Sequence, residues 1–470
     1  MTSSTTKMAA DLNDPRIEQL VMTVALPAVA GLTASAAHHA VNAMFIGALG
    51  PQALAGVSLV LPLFLLVSAA TEGLGIGLAT LLARSLGQGD VKGASSVAVT
   101  ALVAAVPMGI VLSTLIYLAL PAFVQAVGGE GDLLASGLIY GRLIAFGVTL
   151  GMLQAICDFI AIAEGNSRFS MTVLIASFAL NIALDPVFIF LLDFREAGAA
   201  IATMVSTVAA LLAYAVYFYR RKGNVRIDLS LIRWHLLKPI SSIGVPACAT
   251  SIVTGLGFMV LLRQASQSGG EIGVAAIAIA IRLIAFGQLP VFGFCLGAQS
   301  VVSHAVGLGD DQRIKAAIRF MLMITIPVAL CYSTLLLVAA GPIARLFTES
   351  PEVAEQTAAC LRLLFPVFPL AAFQSVLLVM LQSRGRAGLS ALVGLAPNGY
   401  MLIPLLLLLP AWLGFTGVAI APATAAVLTA ALGIVVARRE WATILPSNLP
   451  SSDGPLPGLS ALHPETRGLS

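Results

Sequence analysis

A chain of 470 residues that is 59% hydrophobic and only 10% charged is too apolar for a soluble protein, in which about a quarter of residues are charged. A formal net charge of +3 is too small to point to nucleic acid. The five cysteines (Cys157, Cys248, Cys295, Cys331 and Cys360) lie inside apolar runs without a CxxC or Cys/His cluster, a pattern that indicates neither disulfides nor a metal site.

The N-terminal stretch "MTSSTTKMAADLNDPRIEQ" is polar and lacks the basic-then-apolar order of a cleaved signal. After it, apolar segments are predicted at 20–45, 53–80, 96–120, 135–161, 169–192, 197–219, 237–262, 273–302, 317–341, 356–381, 388–411 and 415–437. Each is long enough to span about 30 Å of hydrocarbon as a helix. None alternates over about ten residues as a barrel strand would. The expected fold is an all-α polytopic membrane protein with twelve transmembrane helices in two pseudo-symmetric six-helix lobes. From about Pro446 the chain is rich in Ser, Pro and Gly and reads as a disordered tail. The division expected is a tail over 1–19, a first lobe over 20–219, a loop over 220–236, a second lobe over 237–437 and a tail over 438–470.

Arg and Lys give the orientation. Loops after the second, fourth, sixth, eighth and tenth segments hold Arg84, Lys92, Arg168, Arg220, Arg221, Lys222, Arg226, Arg233, Lys238, Arg313, Lys315, Arg384 and Arg386, and Arg438 and Arg439 follow the last. The opposite loops hold only Arg195, Arg263 and Arg345. That asymmetry predicts a bacterial-type inner-membrane protein with both termini in the cytoplasm.

The two halves repeat. "SLGQGD" (85–90) matches "AVGLGD" (305–310), an offset of 220 that also pairs Gly50 with Gly270, Gly73 with Gly293, Gly77 with Gly297, Arg142 with Arg362, Gln154 with Gln374 and Gly165 with Gly385. Six is even, so the halves face the same way about an axis along the membrane normal. Transporters built from repeats place substrate at the repeat interface and rock one half against the other.

Differences between the halves point to chemistry. Of 22 acidic residues, only Glu72, Asp158 and Asp185 lie well inside predicted spans, all in the first half. An acid at the bilayer centre costs about 2.5–3.5 kcal/mol on insertion scales and is functional by default. Ser177, Asn181 and Asp185 fall at i, i+4 and i+8, one side of the fifth helix. Pro186 frees the carbonyl of Ile182, and Thr203 offers a hydroxyl from the sixth. Such oxygens suit a proton or a hard cation, so H⁺ or Na⁺ is expected at Asp185, Asn181 and Thr203, with no other metal and no cofactor. At offset 220 the second half has Met401 and Leu405 in place of Asn181 and Asp185. Glu72, Ser177, Gln154, Asp158 and Arg282 are candidates to line a transport cavity, and Pro27 and Pro186 are candidate hinges. His38 and His39 are adjacent and cannot share a face; packed, hydrogen-bonded histidines are the expected reading. Enzyme signatures such as GxxxxGK[ST], GxSxG and HExxH are absent, so uphill transport would draw on an ion gradient.

The stretches "LPA" (26–28), "FIGALGPQALAGVSLVLP" (45–62), "GLGIGLATLLARSLGQGD" (73–90), "AEGNSR" (163–168), "LNIALDPVFIF" (180–190) and "GAAIATMVS" (198–206) together resemble the multidrug and toxic compound extrusion (MATE) family. The resemblance runs over about residues 15 to 440. It implies two six-helix lobes that export cationic or amphipathic compounds in exchange for H⁺ or Na⁺. The lack of acids in the seventh and tenth helices is similar to the DinF-like branch, whose ion site lies in the first lobe. The resemblance then implies that Asp185, Asn181 and Thr203 form that site, with Pro27 bending the first helix. It also implies an aspartate within "VDxxFxGxLG", where this chain has "VNAMFIGALG" and therefore Asn42, an amide that ligates Na⁺ or hydrogen-bonds but carries no proton. A multidrug efflux antiporter acting as a monomer is the main expectation. A flippase for lipid-linked oligosaccharides and a non-transporting homologue are the alternatives.

Overall fold

The computed structural model describes residues 10–126 and 131–443. The predicted tail from Pro446 and the first nine residues lie outside the described residues. The apolar runs fold as long helices: α1 (Ile17–Gly47), α2 (Pro51–Gly87), α3 (Val91–Ala126), α4 (Gly131–Ala163), α5 (Ser167–Pro186) and α6 (Arg195–Tyr219) in the first half. The second half holds α7 (Leu237–Leu308), α8 (Asp311–Val338), the short α9 (Ala340–Phe347), α10 (Pro351–Leu364), α11 (Phe368–Ser383), α12 (Ala387–Leu395), α13 (Leu402–Leu413) and α14 (Phe415–Thr443). At 72 residues α7 would be about 110 Å long if straight, several times the thickness of a hydrocarbon core. It folds back at Gly270, where φ is 58° and ψ −152°, a backbone position open to glycine but strained for other residues. Counted as two arms, it brings the apolar spans among the described residues to twelve. Large exposed side chains such as Leu65, Met259, Leu407 and Trp412 form the outer surface, as expected where lipid is the solvent.

Hydropathy marks only the apolar middle of each helix, so several helices overrun the predicted spans. Thus α2 continues through "ARSLG" to Gly87 and ends just before Gly89, whose φ of 75° a helix cannot contain. The mid-span prolines Pro27, Pro62, Pro107, Pro246, Pro290 and Pro327 all sit inside continuous helices. The breaks fall instead at Pro366, inside a 3₁₀ turn between α10 and α11, and at Pro397 and Gly399, inside a π turn between α12 and α13. One missing N–H is tolerated among packed helices.

The repeat is visible in the backbone. Positive φ recurs at Gly50 and Gly270, Gly89 and Gly309, and Gly165 and Gly385, each pair 220 residues apart. It is visible again where the halves meet. A Cβ on Gly297 would lie 2.6 Å from Ala25 Cα, and one on Gly293 2.9 Å from Val29 Cα. In the mirrored contact a Cβ on Gly73 would lie 2.8 Å from both Cys248 Cβ and the Gly244 carbonyl oxygen, and Gly77 packs against Ile240. Lower down, Gly87 packs on the His304 carbonyl and Gly307 on that of Arg84, a reciprocal pair. Small residues here let the backbones touch. Every one of these contacts lies toward the end of the bundle that carries the basic loops.

That end is also tied by polar bonds. Gln299 Nε2 donates to Thr80 Oγ1 at 3.0 Å and to Gln382 Oε1 at 3.1 Å. Arg84 donates to the Ser383 carbonyl, and Arg313 to the carbonyls of Leu12 and Asp14. Arg384 pairs with Glu440 at 2.7 Å and Arg386 with the same carboxylate at 3.3 Å. The loop joining the halves is pinned to the first: Arg226 N–H donates to Ser95 Oγ at 3.0 Å and Arg233 N–H to Thr100 Oγ1 at 2.9 Å.

Glu164, just past the end of α4, completes the clamp. Its carboxylate accepts from the Val225 N–H and from the Tyr217 hydroxyl at 2.9 Å. Burial pushes its carboxyl up from 4.5 to about 7. Below pH 4.5 the clamped and opened forms both hold the proton and the clamp has its full stability. Between 4.5 and 7 only the clamped form holds it, so raising the pH through this window loosens the clamp; above 7 the effect is flat. Amide exchange at Val225, corrected for intrinsic rate, is therefore expected to accelerate by up to about a hundredfold between pH 4.5 and 7. Glu164→Gln should remove the pH dependence.

Candidate functional site

The buried face of α5 consists of Ser167, Ser170, Val173, Ser177, Asn181 and Asp185, polar at every position but one. An apolar helix buries this face only because other helices cover it: α1 and α6 pack along α5. Ser177 Oγ donates to the carbonyl of Ser206 at 3.0 Å, which ties α5 to α6, while Thr203 Oγ1 donates to the Ala199 carbonyl of its own helix at 3.0 Å. Asn181 and Asp185 are fully buried.

From α1, His38 and Asn42 stand one turn apart and are both buried, and His38 reaches the Asn181 amide. Two orientations of the Asn181 amide fit this environment. In one, its nitrogen donates to Thr203 Oγ1 at 3.3 Å and its oxygen faces the acceptors. In the other, the nitrogen donates to Asp185 Oδ2 at 3.3 Å and His38 Nε2 at 3.2 Å, while the oxygen accepts from Thr203 N–H at 3.0 Å. The second satisfies more groups when Asp185 is ionised and His38 neutral. Asp185 Oδ1, Asn42 Oδ1 and His38 Nδ1 remain buried without a hydrogen-bond partner among the described residues. Buried acceptor oxygens without donors are costly and are the groups that take up a proton or a cation. Tyr140 on α4 lies within electrostatic reach of Asp185.

Pro186 ends α5, and the chain continues as a π turn over Val187–Leu191, so the backbone beside Asp185 departs from regular α geometry. Pro27 sits buried within an unbroken α1, about three turns from His38 toward the basic end.

A cavity of about 600 Å³ lies elsewhere, within the second half. Its wall comes from α7, α10, α11, α12 and α14, with Glu72 and Ile76 entering from α2. Of the candidate cavity residues, only Glu72 lines it. Ser177 faces α6. Asp158 accepts from Ser170 Oγ at 2.9 Å and from the Tyr214 hydroxyl, a closed network inside the first half. Gln154, on α4, is not in the cavity wall, whereas its repeat partner Gln374 is. Arg282 is exposed on the far side of its helix from the cavity residues Ile281 and Ile284, and it has no ion-pair partner among the described residues. Arg282 and Asp158, expected to line a transport cavity, are thus not in the wall of this one.

The MatE family model matches residues 27–187 and 246–408, one copy in each half. The chain belongs to the MatE family. It is 28% identical over 403 residues to the multidrug export protein MepA of Staphylococcus aureus strain NCTC 8325, covering 85% of this chain and 88% of that protein. Among solved structures it is similar to a multidrug resistance MATE family transporter of the MOP superfamily in an outward-facing conformation (TM-score 0.86, 25% identity, 94% of this chain and 99% of that one). It is equally similar to a MOP superfamily transporter from Pyrococcus furiosus whose reversed binding-pocket polarity was taken to suggest a different function (TM-score 0.87, 25% identity, 95% and 100%).

As a MATE protein the chain is a membrane transporter of small molecules, not an enzyme, and needs no cofactor. The residue that the structure adds beside Asn181 is His38, read from the sequence as a packed, hydrogen-bonded histidine. Its signal was present: His38 and Asn42 are i and i+4 on α1, the same spacing as Asn181 and Asp185 on α5. His39, by contrast, is exposed.

Proposed function

We propose that this MATE protein is a secondary active antiporter that exports cationic or amphipathic compounds in exchange for H⁺ or Na⁺. The observation that carries the reading is the cluster of Asp185, Asn181, Thr203, His38 and Asn42, sealed between α1, α5 and α6. Asp185 is its only carboxylate, because Asn42 stands where the family pattern implies a second. The Asn181 amide senses the state of that carboxylate: its NH₂ turns to a bare, ionised Asp185, and its oxygen turns there when Asp185 holds a proton or a Na⁺. The change in hydrogen bonding to His38 passes to α1, with Pro27 further along the same helix as the hinge.

The halves at 20–219 and 237–437 then rock about the glycine contacts at the basic end. By the excess of Arg and Lys there, that end and both termini face the cytoplasm. One charge driven through 100 mV supplies about 2.3 kcal/mol for each cycle. The protein acts as a monomer in this reading. The flippase alternative wants a basic cavity for pyrophosphate, and the charge in the cavity wall is a carboxylate. The test is dye export from proteoliposomes with pH and Na⁺ gradients imposed separately. One gradient alone should drive accumulation; export indifferent to both would refute the antiport reading.

A further inference from the structure

The carboxylate of Glu72 does not belong to the half that builds the cavity. It is carried by α2, crosses the boundary between the halves, and accepts a hydrogen bond from Ser251 Oγ on α7 at 2.9 Å through Oε2. It is the only charged side chain in the cavity wall, and no Lys or Arg among the described residues pairs with it. The remaining wall is largely apolar and includes the rings of Phe258, Phe292 and Phe368. A lone carboxylate in an aromatic, partly dry space attracts one positive charge and repels an anion. The volume of about 600 Å³ suits a drug-sized molecule.

Position adds a second element. The next residue, Gly73, is pressed against Gly244 and Cys248, part of the packing that joins the halves. Ser251 is one turn beyond Cys248 on α7. The carboxylate therefore reaches the cavity only while α2 and α7 are packed together at this level.

We propose that this cavity binds a singly charged organic cation bearing aromatic groups, and that Glu72, lent by the opposite half, is its sole counter-charge, so that the site is complete only while the halves are packed at the basic end. The inference rests on the efflux reading for the direction of transport but not for the binding. Substrate charge and coupling ion are then met by different carboxylates, both carried by the first half, and parting of α2 from α7 withdraws Glu72 and weakens the cation's hold. Transport gains from such a difference in affinity between states.

The test is equilibrium binding to the purified full-length protein in detergent, with micelle-only controls. The probes are tetraphenylphosphonium, its anionic isostere tetraphenylborate, and neutral triphenylphosphine oxide. The wild type should favour the cation over the anion. Glu72→Gln keeps the acceptor for Ser251 and should weaken tetraphenylphosphonium at least about tenfold while leaving the neutral probe within about twofold. Ala371→Trp, which fills the cavity from its wall, should weaken both cation and neutral probe. Unchanged cation binding in either variant would overturn the proposal. If binding obeys Glu72 but no gradient drives export, this inference stands and the antiport reading falls; if export is gradient-driven and binding ignores Glu72, the reverse holds.

Discussion

Asp185→Asn is expected to abolish gradient-driven export from everted membrane vesicles while leaving the protein folded. The substitution is nearly isosteric and puts an amide where Asn181 already has one, so the packing of α1, α5 and α6 is kept. What it removes is the one group in the cluster that changes charge. Asn42 cannot substitute, since an amide takes no proton at physiological pH, and His38 is buried beside a residue that donates to its Nε2. Without a titrating or cation-neutralising carboxylate, the two loading states of the cluster become the same state, and a ligand that does not distinguish states shifts nothing. Exchange of substrate down its own gradient should persist, which separates lost coupling from lost fold. Uphill export by the variant at the wild-type rate would remove Asp185 from the account.

Gly297→Val should hold the halves apart at the basic end. The added Cβ would sit 2.6 Å from Ala25 Cα and 2.8 Å from the Val24 carbonyl, backbone atoms that cannot rotate away. Overpacking of this kind costs about 1–3 kcal/mol, enough to shift a two-state equilibrium by about tenfold to a hundredfold. The mirrored contact of Gly73 with Cys248 joins α2 to the other arm of α7 at the same end, so opening exposes a native thiol. In a variant retaining only Cys248 among the cysteines, a hydrophilic thiol reagent should label Gly297→Val protein at least about tenfold faster than the parent. Equal labelling would mean that the glycine contacts are not what closes this end.

Much of this architecture is legible in the residues. Twelve apolar runs announce the spans because a helix in lipid must be apolar for about 20 residues. The glycines at 73, 77, 293 and 297 announce the repeat, and the structure explains why they are kept small: backbones touch there. The stripe of Ser177, Asn181 and Asp185 is readable from spacing alone. What was not readable depends on rotation and on contacts between distant segments. Nothing local to "RLIAF" tells that Arg282 turns away from the cavity. Nothing in "TEGLG" tells that Glu72 serves a space built by the other half. His38 was legible as a titratable residue in a span, but its meaning came only from the approach of α5 to α1.

The central claim is that the coupling ion is bound at Asp185. The most direct test is to count ions during export, following internal pH and Na⁺ in proteoliposomes while a cationic substrate is transported. Wild-type protein should move H⁺ or Na⁺ opposite to substrate in a fixed ratio, and Asp185→Asn should move substrate with no countermovement of either. An unchanged ion-to-substrate ratio in Asp185→Asn would contradict the claim.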